Sequence, residues 1–355
     1  MLKLKRIFSI ALATLLLFAA TPFVVAAQAE DGTTGLYILS KQCPKEYVDY
    51  ANETVGSLLG GHNILNPYLG EPFSFCNIDS DIYYFPVYSN GLITHTFRVY
   101  LGKDGKPTGV LSPAFASDLN EVASLTSELN PLRIVYETTD EYAAVVFRLA
   151  EYEKEVQITP ITREVDNDVA VASGNGFTII NCIPVSQIQL TRAARTSKVL
   201  PMTITETQGS NSWCLAYCTA MVMRYNGVNK TAEQVMKEIH GENVSTSTSM
   251  GRTNVVPYMQ RYGFHTTKSE DWPSYSDTYV TIISEINKGR PVILNMNGSG
   301  AHAIVALGYE DVKATTTVWN PWYTYFETVI SLNDYTPAES TKTYYVAEYW
   351  YSNYR

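Results

Sequence analysis

The sequence is poor in charge: Asp, Glu, Lys and Arg make up 17% of its 355 residues, and the net charge is −9. It has no basic run, so it lacks the cationic footprint that nucleic-acid binding requires. Cysteine is scarce too, with five copies at 43, 76, 182, 214 and 218. They form no Cys-x-x-Cys pair and no His/Cys set with zinc spacing, which argues against a disulfide scaffold and a metal centre. No cofactor motif is seen. Beyond the N-terminal segment no window reaches the roughly 18 apolar residues of a membrane span. Internal repeats and low-complexity tracts are absent. What the chain does have is hydrophobic residues at 45% and tyrosine in 26 copies, enough to fill sizeable cores. At roughly 100–200 residues per domain, the length predicts two domains.

Residues 1–29 read as a signal peptide. Lys3, Lys5 and Arg6 form a positive n-region, Ile7 to Ala20 an apolar stretch, and Ala27-Gln28-Ala29 a small-residue cleavage site. The expectation is an exported chain, secreted or associated with the cell wall and free of the membrane once the signal is removed. An odd cysteine count in such a chain calls for at least one unpaired thiol or an intermolecular bond. Cys43, Cys76 and Cys182 could contain one bridge.

Residues 30–198 hold most of the acidity, with a net charge of −9 against −3 for 199–355. Helices are expected at Pro44–Leu59 and Ala114–Leu129. Strands are expected at Ile82–Val87, Leu92–Leu101, Thr108–Leu111, Leu132–Glu137, Ala143–Ala150, Glu155–Ile161 and Phe177–Ile183. This is a β-rich α+β domain. A basic linker, 190–198, carries Arg192, Arg195 and Lys198 and is a candidate for proteolytic cutting or an ordinary interdomain loop. In 199–355 helices come first, at about Ser212–Tyr225, Thr231–His240, Asn254–Tyr262 and Thr278–Lys288. Strands follow at Val292–Met296, His302–Tyr309, Thr315–Asn320, Phe326–Ile330 and Thr343–Tyr349, so this half also reads as α+β.

Cys214 falls in the first turn of its helix, where free amide protons and the macrodipole favour a thiolate. Cys218, one turn deeper among apolar residues, reads as core packing. Of the five histidines, His302 stands apart at the mouth of an apolar strand, preceded by Gly298-Ser-Gly300-Ala301. If the strands on either side of 311 fold about that position, His302 pairs with Asn320, whose amide could orient the imidazole. Gln208, six residues before Cys214, could donate to an oxyanion together with the Cys214 backbone N–H.

Together these residues resemble the papain-like cysteine peptidases. The stretch Gln208-Gly-Ser-Asn-Ser-Trp213-Cys214-Leu-Ala-Tyr is similar to that superfamily's Gln-x5-Cys element. His302-Ala-Ile-Val-Ala-Leu-Gly308-Tyr309 is similar to its histidine strand, and Trp319-Asn320-Pro321-Trp322 to its Asn-x-Trp element. Trp213 before the cysteine places the resemblance on the secreted bacterial, staphopain-like side; other branches carry a small residue there and a tryptophan after the cysteine. The interval from Cys214 to His302 is short, which implies trimmed subsite loops.

The resemblance implies an α+β peptidase domain over 199–355. Cys214 would be nucleophile, His302 base and Asn320 orienter, with Gln208 and the Cys214 amide as oxyanion hole and Trp213 and Trp322 as support. Residues 30–198 would be an inhibitory propeptide, the substrate a protein or peptide, and a separate activating protease or inhibitor protein a candidate partner. Two other readings compete with this one. A transglutaminase-like acyl transferase would ordinarily have aspartate at 320, and an exported binding protein with a vestigial peptidase half would have no need of all four site residues.

Overall fold

In the computed structural model the described residues are 35–59, 64–77, 81–138, 142–150, 152–160, 177–188, 197–311, 314–340 and 342–355. Residues 1–29, expected to be a signal peptide, and residues 190–196 of the expected linker lie outside them. Residues from Thr34 to Arg355 form one compact unit.

The first half supplies β1 (Tyr37–Lys41), α1 (Lys45–Leu58), β2 (Tyr68–Gly70), β3 (Ile82–Ser89), β4 (Leu92–Leu101), β5 (Pro107–Ser112) and α2 (Ala116–Ala123). It continues with β6 (Arg133–Thr138), β7 (Tyr142–Leu149), β8 (Tyr152–Pro160), β9 (Phe177–Asn181), β10 (Pro184–Gln187) and β11 (Ser197–Val199). The second half supplies α3 (Cys214–Tyr225), α4 (Ala232–His240), α5 (Val255–Arg261), β12 (His265–Lys268), α6 (Tyr275–Asn287) and β13 (Val292–Gly298). It ends with β14 (His302–Glu310), β15 (Thr315–Trp319), β16 (Phe326–Val329) and β17 (Tyr344–Tyr354). Sheet-rich with six α-helices among the described residues, this architecture is compatible with an α+β peptidase fold.

One antiparallel sheet of 12 strands runs through both halves in the order β10-β2-β3-β4-β5-β16-β15-β14-β13-β17-β12, with β11 added to β14. The halves meet where β5 pairs with β16, Thr328 opposite Leu111 and Val329 opposite Val110. Strands β3 to β5 are buried on both faces, with Thr96, Arg98 and Ser112 buried among the apolar residues. Tyr83, Phe85, Phe97, Val99 and Leu111 pack under Tyr47, Ala51 and Val55 of α1. Their alternates Tyr84, Tyr100 and Val110 join the larger core, which continues into the second half.

The same alternation turns Arg98 toward the second half. Arg98 is fully buried. It donates to the Pro337 carbonyl, and its guanidinium lies over the rings of Tyr84 and Tyr100, 5.7 and 5.3 Å from their centroids. The Tyr84 hydroxyl donates to the Ala338 carbonyl at 3.2 Å, and the Tyr100 hydroxyl donates to that of Asp334. The first half thus grips the 334–338 backbone through three side chains.

Several expected bounds shift. The helix expected over Ala114–Leu129 stops at Ala123, because the Thr126 hydroxyl donates to the Ala123 carbonyl and competes with helical continuation. The helix expected from Ser212 begins at Cys214. Ser197 and Lys198, expected in the linker, belong to β11 and pair with Glu310 and Tyr309. β12 and the short strands β1, β2, β10 and β11 were not anticipated. All five cysteines are free, so the candidate bridge among Cys43, Cys76 and Cys182 is not formed.

Two consequences are measurable. A Cβ on Gly109 would lie 2.5 Å from the Arg98 carbonyl oxygen and 2.7 Å from the Phe97 ring. Gly109→Ala should therefore lower stability by about 1–3 kcal/mol through overpacking, read as a lower thermal midpoint. Burial also pushes the Glu327 and Glu339 carboxyls up, to about 7 and about 8. Because the folded state holds these protons more tightly than the unfolded chain, their contribution is fully present below the ordinary carboxylate value of 4.5 and is lost progressively as pH rises from there to 7–8. Denaturant titrations should show stability falling over that window, and Glu339→Gln should flatten the fall. An unchanged slope in that variant would contradict the assignment.

Candidate active site

The helix that carries Cys214 starts without a side-chain cap. Trp213 occupies the N-cap position, and Asn211 Oδ1 accepts from the Trp213 backbone N–H at 3.1 Å instead of from an amide inside the helix. The first-turn amides therefore stay available, and the backbone N–H groups of Cys214 and Leu215 act on the sulfur. The Ala303 N–H, next to His302, faces the same sulfur. Cys214 is half-buried, whereas Cys218 is fully buried in the core, as expected. Trp213 is itself buried and its indole N–H donates to the Ser245 carbonyl at 3.3 Å, which anchors the helix entry.

His302 is the first residue of β14, entered through a turn that needs glycine. Gly298 has φ 147°, and a Cβ there would lie 2.3 Å from the Thr343 carbonyl oxygen. The imidazole is buried. Its Nε2 lies 3.0 Å from Asn320 Oδ1, and the Trp322 indole stacks on it at 3.8 Å between centroids. Asn320 Oδ1 also accepts from the Trp322 backbone N–H at 3.1 Å, which identifies that atom as the oxygen. Nε2 must then carry the proton, leaving Nδ1 as the basic nitrogen.

The hairpin register differs from the one expected. Pairing of Glu310 with Thr315 and Tyr309 with Thr316 gives way, after an irregularity between Ala306 and Gly308, to Ala306 with Val318 and Val305 with Trp319. In this register Asn320 is not directly opposite His302 but reaches it diagonally. The expected pair forms by another route: the irregularity shifts the frame, and the chain turns after Trp319.

Gln208 is buried in the loop before the helix, and its backbone N–H donates to the Pro321 carbonyl at 2.8 Å. That bond ties the glutamine loop to the Asn320–Trp322 segment. Its side-chain Nε2 donates to the Asn211 carbonyl at 2.5 Å, which spends one of its two N–H groups. Gln208, Cys214, His302 and Trp322 all line one cavity of about 650 Å³, together with Met250, Trp272 and Tyr344. Among the described residues, those lining it all belong to the second half.

Burial sets the protonation state. It pushes the Cys214 thiol up to about 11 against the three amides that favour thiolate, and pushes the His302 imidazole down to about 4 against the Asn320 hydrogen bond. At neutral pH both groups are uncharged in this conformation. Tyr335 and Glu327, which stand behind Asn320, were not singled out from the sequence. Neither lies in a recognisable motif, and only the folding of 330–340 against β16 brings them there. Among the described residues no group of acidic, histidine or cysteine side chains could hold a metal ion.

Residues 180–350 match the family model described as Peptidase_C39 like family. Staphopain A of Staphylococcus aureus strain MSSA476 is 24% identical over 320 residues, covering 80% of this chain and 79% of the relative. The protein of strain COL is 23% identical over the same span. The likeness crosses the boundary between the halves, so it includes part of the region before residue 199. The matches support a cysteine peptidase, and the chain is similar to the papain-like peptidases on the side related to staphopain.

Proposed function

We propose that this protein is a secreted cysteine endopeptidase made as a zymogen, with 30–198 as its propeptide and 199–355 as its papain-like catalytic domain. The observation that carries the reading is the arrangement of His302: its Nε2 is held by Asn320 under Trp322, and its ring shares a cavity with Cys214. In this mechanism His302 Nδ1 takes the Cys214 proton as the sulfur attacks the scissile carbonyl carbon. Gln208 Nε2 and the Cys214 backbone N–H donate to the resulting oxyanion. His302 then gives its proton to the leaving amine, and a thioester remains on Cys214. Water, deprotonated by His302, cleaves the thioester, releases the acid and restores the thiol. Asn320 holds the imidazole throughout, and Trp322 shelters the bond between them. Trp213 fixes the start of the nucleophile helix.

The n-region at Lys3 to Arg6, with the apolar stretch and the small-residue cleavage site after it, supports export. A protein or peptide is the substrate, and cutting in 190–198 would break the covalent link between the halves of the chain.

Two experiments test the proposal. The purified precursor is incubated and its new N-termini sequenced, alongside Cys214→Ala. Peptide hydrolysis should fall by at least roughly 10⁴-fold in the variant, which should still fold. Hydrolysis by Cys214→Ala at the wild-type rate would end the reading, and transfer to an added amine in preference to water would reassign the enzyme as an acyl transferase. Gln208→Ala should lower kcat by about 10²–10³ with little change in KM, measured on the same peptide.

A further inference from the structure

Behind the histidine a buried chain of polar groups runs on from Asn320 to Tyr335 and Glu327, two residues that the mechanism above does not use. Asn320, Tyr335 and Glu327 are all fully buried. Asn320 Nδ2 donates to the Tyr335 hydroxyl oxygen at 3.1 Å, and the Tyr335 hydroxyl donates in turn to Glu327 Oε2. Glu327 Oε1 accepts the Ala338 backbone N–H at 2.7 Å. Every donor in this chain points the same way, from the amide to the carboxyl.

We propose that Tyr335 and Glu327 are positioning residues for the peptidase reaction, holding the Asn320 amide in the one orientation that can accept the His302 Nε2–H. The argument is one of polarity. A turned amide would set its NH₂ against two donors, His302 Nε2–H and the Trp322 N–H, and its oxygen against the Tyr335 hydroxyl. That hydroxyl has a lone pair to offer Asn320 because its only proton is committed to Glu327. Ionised Glu327 keeps it committed, since both carboxylate oxygens then only accept, Oε2 from Tyr335 and Oε1 from Ala338.

Burying a carboxyl costs free energy unless it is fully hydrogen-bonded, so a Phe at 335 and a Leu at 327 would serve packing alone better. Tyr335 is in turn fixed by its own backbone, which exchanges N–H···O bonds of 2.9 and 2.7 Å with Tyr344, a residue of the cavity wall. The backbone on its other side, at Thr336, donates to the Tyr100 hydroxyl at 3.2 Å.

The inference rests on Cys214 and His302 being nucleophile and base, and the test separates the two claims. The full-length chain is prepared as wild type, Tyr335→Phe, Glu327→Gln, Asn320→Ala and Cys214→Ala. Three quantities are measured: the thermal midpoint, kcat and KM on a peptide, and the rate at which iodoacetamide alkylates Cys214 from pH 5 to 10, read by mass spectrometry of the peptide containing it. The Asn320 hydrogen bond raises the proton affinity of His302. Loosening it should therefore move the onset of alkylation to higher pH. Tyr335→Phe should lower kcat by about three- to tenfold at nearly constant KM and shift the alkylation profile in the same direction as Asn320→Ala. Glu327→Gln should do the same where it folds; where it does not, Tyr335→Phe decides. A folded Tyr335→Phe with the wild-type profile overturns the proposal, even if its midpoint or rate has fallen, because a merely structural role would leave the profile in place. Inactive Cys214→Ala beside such a variant sinks only the positioning claim, whereas fully active Cys214→Ala sinks both.

Discussion

An imidazole can work as a base in a fixed place only if its other nitrogen is committed elsewhere. Here that commitment is the 3.0 Å contact between His302 Nε2 and Asn320 Oδ1. Much of the second half can be understood as what it takes to keep this contact. The Trp322 indole covers it and the Trp322 amide shares its acceptor. The turn that follows Asn320 is closed by the Tyr323 N–H on the Asn320 carbonyl at 2.9 Å, and by the Trp319 indole N–H on the Tyr323 carbonyl at 2.9 Å. An asparagine buried this deeply must have its donors and acceptors met, and each partner draws another element toward the site.

The cavity is assembled from elements far apart in sequence. An uncapped helix start delivers the sulfur, the first residue of an apolar strand delivers the ring, and a loop tied to Pro321 delivers Gln208. Rigidity comes from the central strands, whose residues Ile304 to Leu307 are fully buried. The reactive groups sit at or near the ends of these elements, on the wall of the cavity. The same packing that positions the two groups removes them from water, which keeps both uncharged in this conformation.

Local signals in the sequence were enough for most of this. The capping box of α4, with Thr231 and Gln234 bonding reciprocally, and the Asn226-Gly227 stop of α3 lie where their residue types place them. Leu92–Leu101 is a strand over its full expected length. Cys214 and His302 could be picked out because each opens an element, and Gln208 and Trp322 because each lies in a loop at a short fixed spacing from Cys214 or Asn320. The register of β14 and β15 could not, since the irregularity near Leu307 leaves no mark on residue pattern. Tyr335 and Glu327 were hidden for a related reason. One tyrosine among 26 and a glutamate in an alternating strand look like surface residues until long-range pairing buries them. Nor did composition reveal that β5 and β16 would join, because strand partners across more than 200 residues carry no local signature.

That junction governs how the molecule would behave after being cut. Residues 189–196 connect strands that are each already secured elsewhere, β10 on β2 and β11 on β14. The shared edge at Val110 and Val329, the Arg98 side chain over its two tyrosine rings, and the carbonyls of Asp334, Pro337 and Ala338 do not depend on that connection. Hydrolysis of a single peptide bond in that stretch would create a new chain end without by itself freeing either fragment. The nicked protein would migrate as one particle in native conditions and as two only in denaturant, so release of the N-terminal fragment is a second event with its own barrier.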